Sequence, residues 1–175
     1  MNIDQIKQKL KTDAYGFLRE NPNLGKNIIL LTLGGSHAYG MDKEGSDLDV
    51  RGIALNSKKD ILLGTDFEQV VNVDTDTVVY SFNKMIQLLV SNNPNTVEVL
   101  GCKPEHFLHL SDIGRTLIDN RKMFLSKVCI HTFVGYAGSQ LRRMENKAAR
   151  LVGQAKNEAN ILRSINNAKY DFKNR

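Results

Sequence analysis

The run from Asn27 to Gly52 constrains this chain more tightly than any other stretch. Asn27 to Leu33 is an apolar segment of strand length that ends abruptly in Gly34-Gly35-Ser36, followed by His37-Ala38-Tyr39-Gly40. A corner with no Cβ atoms lets backbone amides approach a phosphate closely. Eleven residues beyond Ser36, the chain reads Ser46-Asp47-Leu48-Asp49-Val50-Arg51-Gly52 and continues into apolar Ile53 and Ala54. On an extended strand Asp47 and Asp49 leave the same face, so together they can hold a divalent cation. Hard oxygen ligands suit Mg²⁺, which usually takes one or two protein carboxylates plus phosphate oxygens. Gly, Ser and Asp are also ordinary turn residues, but turn chemistry does not ask for two carboxylates within a strand. Arg51 shares their parity. It can pair with phosphate, fix an aspartate, or serve as a surface arginine bridging to a strand carboxylate.

This pattern resembles the DNA polymerase beta nucleotidyltransferase superfamily, in which an apolar strand, a Gly-Ser corner and two alternating carboxylates follow one another. With "GSHAYG", "SDLDVRG", "NNPNTVEVL" at 92–100 and "FLSKVCIHTFVGYAGSQL" at 124–141, the chain is similar to the subgroup called the RNA repair pathway DNA polymerase beta family. The resemblance runs from about Ile28 to the end of the chain. It implies transfer of a nucleoside monophosphate from a triphosphate to a hydroxyl, with release of pyrophosphate.

Superfamily members complete the metal site with a third carboxylate from a later strand. Val70 to Tyr80 reads as one strand with Asp74 and Asp76 on a shared face, although Asp74-Thr75-Asp76 also suits a hairpin turn. Similarity to the family's placement of an aspartate four residues before a tyrosine and a helix favours Asp76 over Asp74. The expected set is therefore Asp47, Asp49 and Asp76 as catalytic and metal-binding residues. Gly34, Gly35, Ser36 and Arg51 are the expected nucleotide-binding residues, with two Mg²⁺ (or Mn²⁺) ions as cofactors and an NTP as substrate. Two metals so held would stabilise both ends of an in-line displacement at the α-phosphorus.

The remaining polar residues carry weaker signals. His37, directly after Ser36, can contact a phosphate or the acceptor, or simply start a helix. His106, His109 and His131 lack ligand spacing with Cys102 or Cys129, which argues against zinc. Cys129 reads as a small core residue in a helix, and Glu98 as a packing or capping residue with a substrate role as the alternative. Two cysteines without a spacing pattern and the absence of a signal-peptide pattern fit a reducing cytoplasm.

The net charge of +5 is divided unevenly. Residues 1–120 hold 12 basic and 16 acidic side chains, whereas residues 121–175 hold 12 basic and 3 acidic ones. A basic tail beside an acidic metal site is what a polyanion partner such as RNA would require. Arg142, Arg143, Lys147 and Arg150 have helical spacings that can form one ridge. A solvated helix face would look the same, since no aromatics are interleaved.

Periodicity gives a helix over Ile3–Arg19, with Ile6, Leu10, Ala14 and Leu18 on one stripe. Strands follow at 27–33, 48–55 and 68–80, with a helical turn near 37–40 and a short apolar piece at Ile61–Leu63. Ser81 can cap a helix bearing Met85, Ile86, Leu89 and Val90, and Pro94 starts another through Leu100. Residues 111–120, about 123–150 and 155–170 read as further helices. The order predicts an α+β fold: a small mixed sheet of the polymerase beta type flanked by helices, then a helical region. Residues 1–100 would form the nucleotidyltransferase core and 101–175 a basic C-terminal helical region, incomplete if the family's usual further helices are absent. In the family Tyr-Asp-x-Lys is followed by more chain, whereas Tyr170-Asp171-Phe172-Lys173 stands at the end here. Three functions fit: nucleotide transfer to an RNA end, transfer to a protein or small-molecule hydroxyl, or a non-catalytic nucleotide- or RNA-binding module.

Overall fold

The computed structural model describes Ile3 to Lys173, with side chains through Ala159 and at Leu162. Its centre is a five-stranded mixed sheet in the order β3-β4-β2-β1-β5, an α+β arrangement as expected. β1 (Ile28–Leu33) lies between β2 (Val50–Ala54) and β5 (Phe107–Leu110) and is antiparallel to both. β2 runs parallel to β4 (Thr77–Ser81), which pairs antiparallel with β3 (Gln69–Asn72).

All six residues of β1 are buried, because both faces of the sheet are covered. On one face Ile28, Leu31, Leu33, Val50, Ala54 and Val79 pack with Ile6, Tyr15, Leu18 and Leu24 from the N-terminal segment. On the other, Ile29, Leu30 and Ile53 pack with α5 (Phe82–Val90), α6 (Pro94–Gly101) and α7 (Asp112–Asp119) through Met85, Leu89, Val99, Leu100, Leu117 and Ile118. A register shift between Ile28 and Leu30 lets two consecutive residues, Ile29 and Leu30, serve the same cluster. Gly114 brings α7 directly against the Ile29 carbonyl, where a Cβ would collide with the oxygen.

The Ser81 cap is the one the sequence suggests, and Asn93 adds a second ahead of Pro94. Ser81 Oγ accepts from Lys84 N at 3.1 Å, and Asn93 Oδ1 accepts from Asn95 N at 3.1 Å ahead of Pro94. Each satisfies an amide that the first turn of a helix leaves without an internal partner.

Six details depart from the sequence reading. The N-terminal helix stops early: α1 spans Ile3–Lys9, and a 3₁₀ turn at Asp13–Tyr15 precedes the short α2 (Phe17–Glu20). Thr12 is extended there, and Arg19 donates to the carbonyls of Leu10 and Thr12 at 3.0 and 3.3 Å. Consequently Tyr15, and not Ala14, enters the core. The strand expected at 68–80 is a hairpin, because Asn72 Oδ1 accepts from Thr75 N at 3.0 Å and closes a turn over 73–76. β2 begins at Val50, so Asp47 and Asp49 precede the strand. The segment at Ile61–Leu63 belongs to an exposed helix, α4 (Lys58–Leu63), following a short α3 (Gly35–Tyr39) earlier in the chain. Residues beyond 100 supply β5, which short length and an interposed His109 conceal, and the two expected C-terminal helices are one, α8 (Val128–Lys173). Three glycines, Gly135, Gly138 and Gly153, are tolerated inside that helix at a cost of about 1 kcal/mol each.

Residues 1–132 form one compact unit, and 133–175 form a second that consists of the remainder of α8. Among the described residues, no helix is long and apolar enough to cross a membrane.

Candidate active site

Strand directions bring four chain segments to one end of the sheet. Leu33 pairs with Val50, Val50 with Thr77, and Thr32 with Phe107. The end of β1 therefore lies beside the starts of β2, β4 and β5. In spatial order that rim carries Asp76 before β4, Asp49 before β2, Gly34-Gly35-Ser36 after β1, and His106 before β5. Backbone bonds fix the register, with Gly34 N donating to Asp49 O at 2.9 Å and Val50 N to Asp76 O at 3.1 Å.

Gly35 has φ +52°, in the left-handed region. A Cβ there would strike the Asp49 carboxylate, and one on Gly34 would meet Asp49 Cβ at 3.4 Å and Arg51 Cγ at 3.2 Å. The two glycines are therefore what allows the carboxylate to sit directly under the corner. Asp76 also lies in the left-handed region, at φ +42°, which turns its side chain back toward Asp49. Between the two stands Arg51, whose Nη2 lies 3.3 Å from Asp49 Oδ1 and 3.1 Å from Asp76 Oδ1. Its Nη1 donates to the carbonyls of Val50 at 3.1 Å and Asp76 at 2.6 Å.

Electrostatics follow from this crowding. Burial, then the hydrogen bond and charge of Asp76, push the Asp49 carboxyl up from 3.8 to about 6, against the opposing pull of Arg51. Asp76 shifts down, chiefly because it is hydrogen-bonded to Asp49 and then because of Arg51. The two behave as a coupled pair that retains a proton up to about pH 6. A carboxylate pair that holds a proton this firmly is short of positive charge. Its hard oxygens fit a divalent cation, with Asp49 and Asp76 as the residues that would hold it.

Of the three expected carboxylates, the structure brings together Asp49 and Asp76. Asp47 is exposed on the preceding loop and, with Ser46, Asp74, Asp76 and Lys9, lines an open groove of about 860 Å³. Among the described residues no three His, Cys, Asp or Glu side chains gather closely enough to hold an ion. Asp74 lies on the tip of the hairpin turn. His37 is held by Asp42, Nδ1 to Oδ2 at 3.3 Å, across a turn closed by the left-handed Gly40. His106 is at the rim near β5, where its Nδ1 is buried without a hydrogen-bond partner, and His109 and His131 are exposed. Cys102 points at the carbonyls of Leu33 and Glu98, and burial raises its thiol pKa; the Glu98 side chain is exposed. Arg142, Arg143, Lys147 and Arg150 are exposed along α8.

The sequence reading overlooked Asn92, the fully buried residue that ties the 92–100 motif to the 124–141 motif. Its Nδ2 donates to the carbonyls of Leu89, Val90 and Phe124, and its Oδ1 accepts from Ser126 N at 3.1 Å and faces Cys129 Sγ. Cys129 is thus half-buried against an amide instead of packed in an apolar core. Tyr170-Asp171-Phe172-Lys173 lies where side chains are outside the described residues.

A mixed sheet with a glycine corner at its rim, set against paired aspartates just before the neighbouring strands, is the arrangement of a polymerase beta-type nucleotidyltransferase. The model of the RNA repair pathway DNA polymerase beta family matches residues 3–168, and this chain belongs to that family. The chain is also similar to an uncharacterized 38.9 kDa protein from the nrdC-mobD intergenic region of Enterobacteria phage T4. The two are 26% identical over 130 residues, covering 67% of this chain and 38% of the phage protein. The chain thus spans well under half the length of that relative. No solved structure matches it.

Proposed function

We propose that this chain carries a metal-dependent nucleotidyltransferase centre that moves a nucleoside monophosphate from an NTP onto a hydroxyl, with an RNA end as acceptor. The observation that carries this reading is the meeting of Asp49 and Asp76 at Arg51 Nη2, with the Asp49 carboxylate directly beneath Gly34-Gly35. Family membership adds the reaction class, and the basic excess of residues 121–175 favours a polyanionic acceptor.

A divalent cation at Asp49 and Asp76 would supply Lewis-acid polarisation of the α-phosphate and acidify the acceptor hydroxyl. The chain's own residues do the rest. Ser36 and the amides of Gly35 and Ser36 hold terminal phosphate oxygens, while the Gly34 amide stays on the Asp49 carbonyl. Asp47, which lines the neighbouring groove, would help hold the second of two Mg²⁺ or Mn²⁺ ions. The acceptor oxygen bonds to the α-phosphorus as the bond to pyrophosphate breaks, and the carboxylate pair receives the hydroxyl proton.

The test is label transfer from α-³²P NTPs with Mg²⁺, offering RNA, protein and small alcohols separately. Labelled RNA that disappears in Asp49→Asn is the expected result. Label confined to protein or to small alcohols would replace the acceptor while keeping the chemistry. Nucleotide or RNA binding without product under any condition would refute catalysis and leave a binding module.

A further inference from the structure

We propose that Arg51 is a resident counter-ion: it holds Asp49 and Asp76 together while no metal is bound, and it surrenders that place when a divalent cation and a triphosphate arrive together. This deepens the function proposed above and rests on it.

One nitrogen, Nη2, engages Oδ1 of both carboxylates, at 3.3 and 3.1 Å. That is the position from which a single cation would bridge the pair. Metal–oxygen bonds of about 2.1 Å would draw those same oxygens onto the ion. Nη2 and a bridging ion therefore compete for one place, and two positive centres so close repel each other. Removing the guanidinium without replacing its charge would leave two carboxylates facing each other, so the arginine also keeps the pair assembled.

The same side chain is already beside its second destination. Arg51 Cγ and Nε lie 3.2 and 3.9 Å from the position a Gly34 Cβ would occupy. The stem thus lies along the phosphate corner, and only the terminal fork needs to turn from carboxylate to phosphate oxygens, which a guanidinium grips in bidentate fashion. Half of its present hold is on the carbonyls of Val50 and Asp76, which are neutral acceptors and weaker partners than phosphate. A bare ion must expel the arginine with no compensation, whereas an ion that arrives with a triphosphate brings the anion the arginine moves to. The device makes the site respond to the metal–nucleotide pair in preference to free metal.

Mn²⁺ alone is the probe, followed by electron paramagnetic resonance of the free ion in wild type, Arg51→Gln and Arg51→Lys. The expected result is that Arg51→Gln binds Mn²⁺ about tenfold more tightly than wild type, with Arg51→Lys in between. Equal or weaker binding by Arg51→Gln overturns the inference. Thermal denaturation separates a counter-ion from a structural staple. Arg51→Gln should melt below wild type in EDTA, and the gap should close in saturating Mn²⁺. A gap of the same size in both conditions overturns the inference and leaves the metal site standing. Should wild type and Asp49→Asn bind Mn²⁺ identically, the metal-dependent reading itself fails and takes the inference with it.

Discussion

Replacing Asn92 by alanine should cost this protein more stability than any surface change near the active site. The side chain is fully buried and sits at φ +53°. It supplies donors to Leu89, Val90 and Phe124 and accepts from Ser126 N and Oγ. The carbonyl of Leu89 also accepts from Asn92 N, but Phe124 O and Ser126 N depend on this amide across 32 and 34 residues of chain. Leaving one or two such buried groups without partners costs about 1–3 kcal/mol each. Forcing alanine into the left-handed region adds about 1 kcal/mol. A total of about 4 kcal/mol follows, which for a unit of this size lowers the melting temperature by about 15 °C. Scanning calorimetry with near-ultraviolet circular dichroism of the buried Tyr15 would read it, since α8 dominates the far-ultraviolet signal. Asn92→Gly should recover only the conformational part, about 1 kcal/mol. An Asn92→Ala protein within about 1 kcal/mol of wild type would show that the amide bridge is dispensable and refute the reasoning.

Three further outcomes can be checked. Gly35→Ala should abolish label transfer while costing only about 1–2 kcal/mol of stability, because the new Cβ displaces the Asp49 carboxylate at a solvent-exposed corner; turnover and melting measured together decide this. Gly114→Ala should do the reverse, destabilising by about 1–3 kcal/mol as α7 is pushed off the Ile29 carbonyl, with a smaller effect on nucleotide transfer. In metal-free buffer Asp49 keeps its proton in the native state between pH 3.8 and about 6, where the unfolded chain has lost it. The folded form then binds more protons, so the contribution of Asp49 to stability falls as pH rises through that window. Asp49→Asn should therefore gain on wild type from pH 4 to 6 and hold level above, and a difference independent of pH in denaturant titrations would contradict the shared-proton pair.

The sheet and its phosphate corner were legible because period-two apolar runs and a glycine pair are local signals. Ile28–Leu33, the turn at Gly35–Tyr39, the cap at Ser81 and the helix start at Pro94 could be read directly. The hairpin was obscured because Val71, Val73, Thr75 and Thr77 keep strand-like alternation through a turn that one side chain, Asn72, closes. The contact of Arg51 with Asp49 was within reach of parity, but its grip on Asp76 depends on the parallel pairing of β2 with β4, which alternation does not specify. Asn92 could be read only as part of a helix break before Pro94. Nothing local announces that its amide spans to Ser126.

The rim draws its groups from β1, β2 and β4, and Asp49 meets Asp76 only through the parallel pairing of β2 with β4. Parallel neighbours cannot be joined by a tight turn, so the chain travels out through α4 and β3 and back before the carboxylates meet. Competence for phosphate chemistry in a newly made molecule therefore waits on that non-local closure, whereas its helices can form from local contacts.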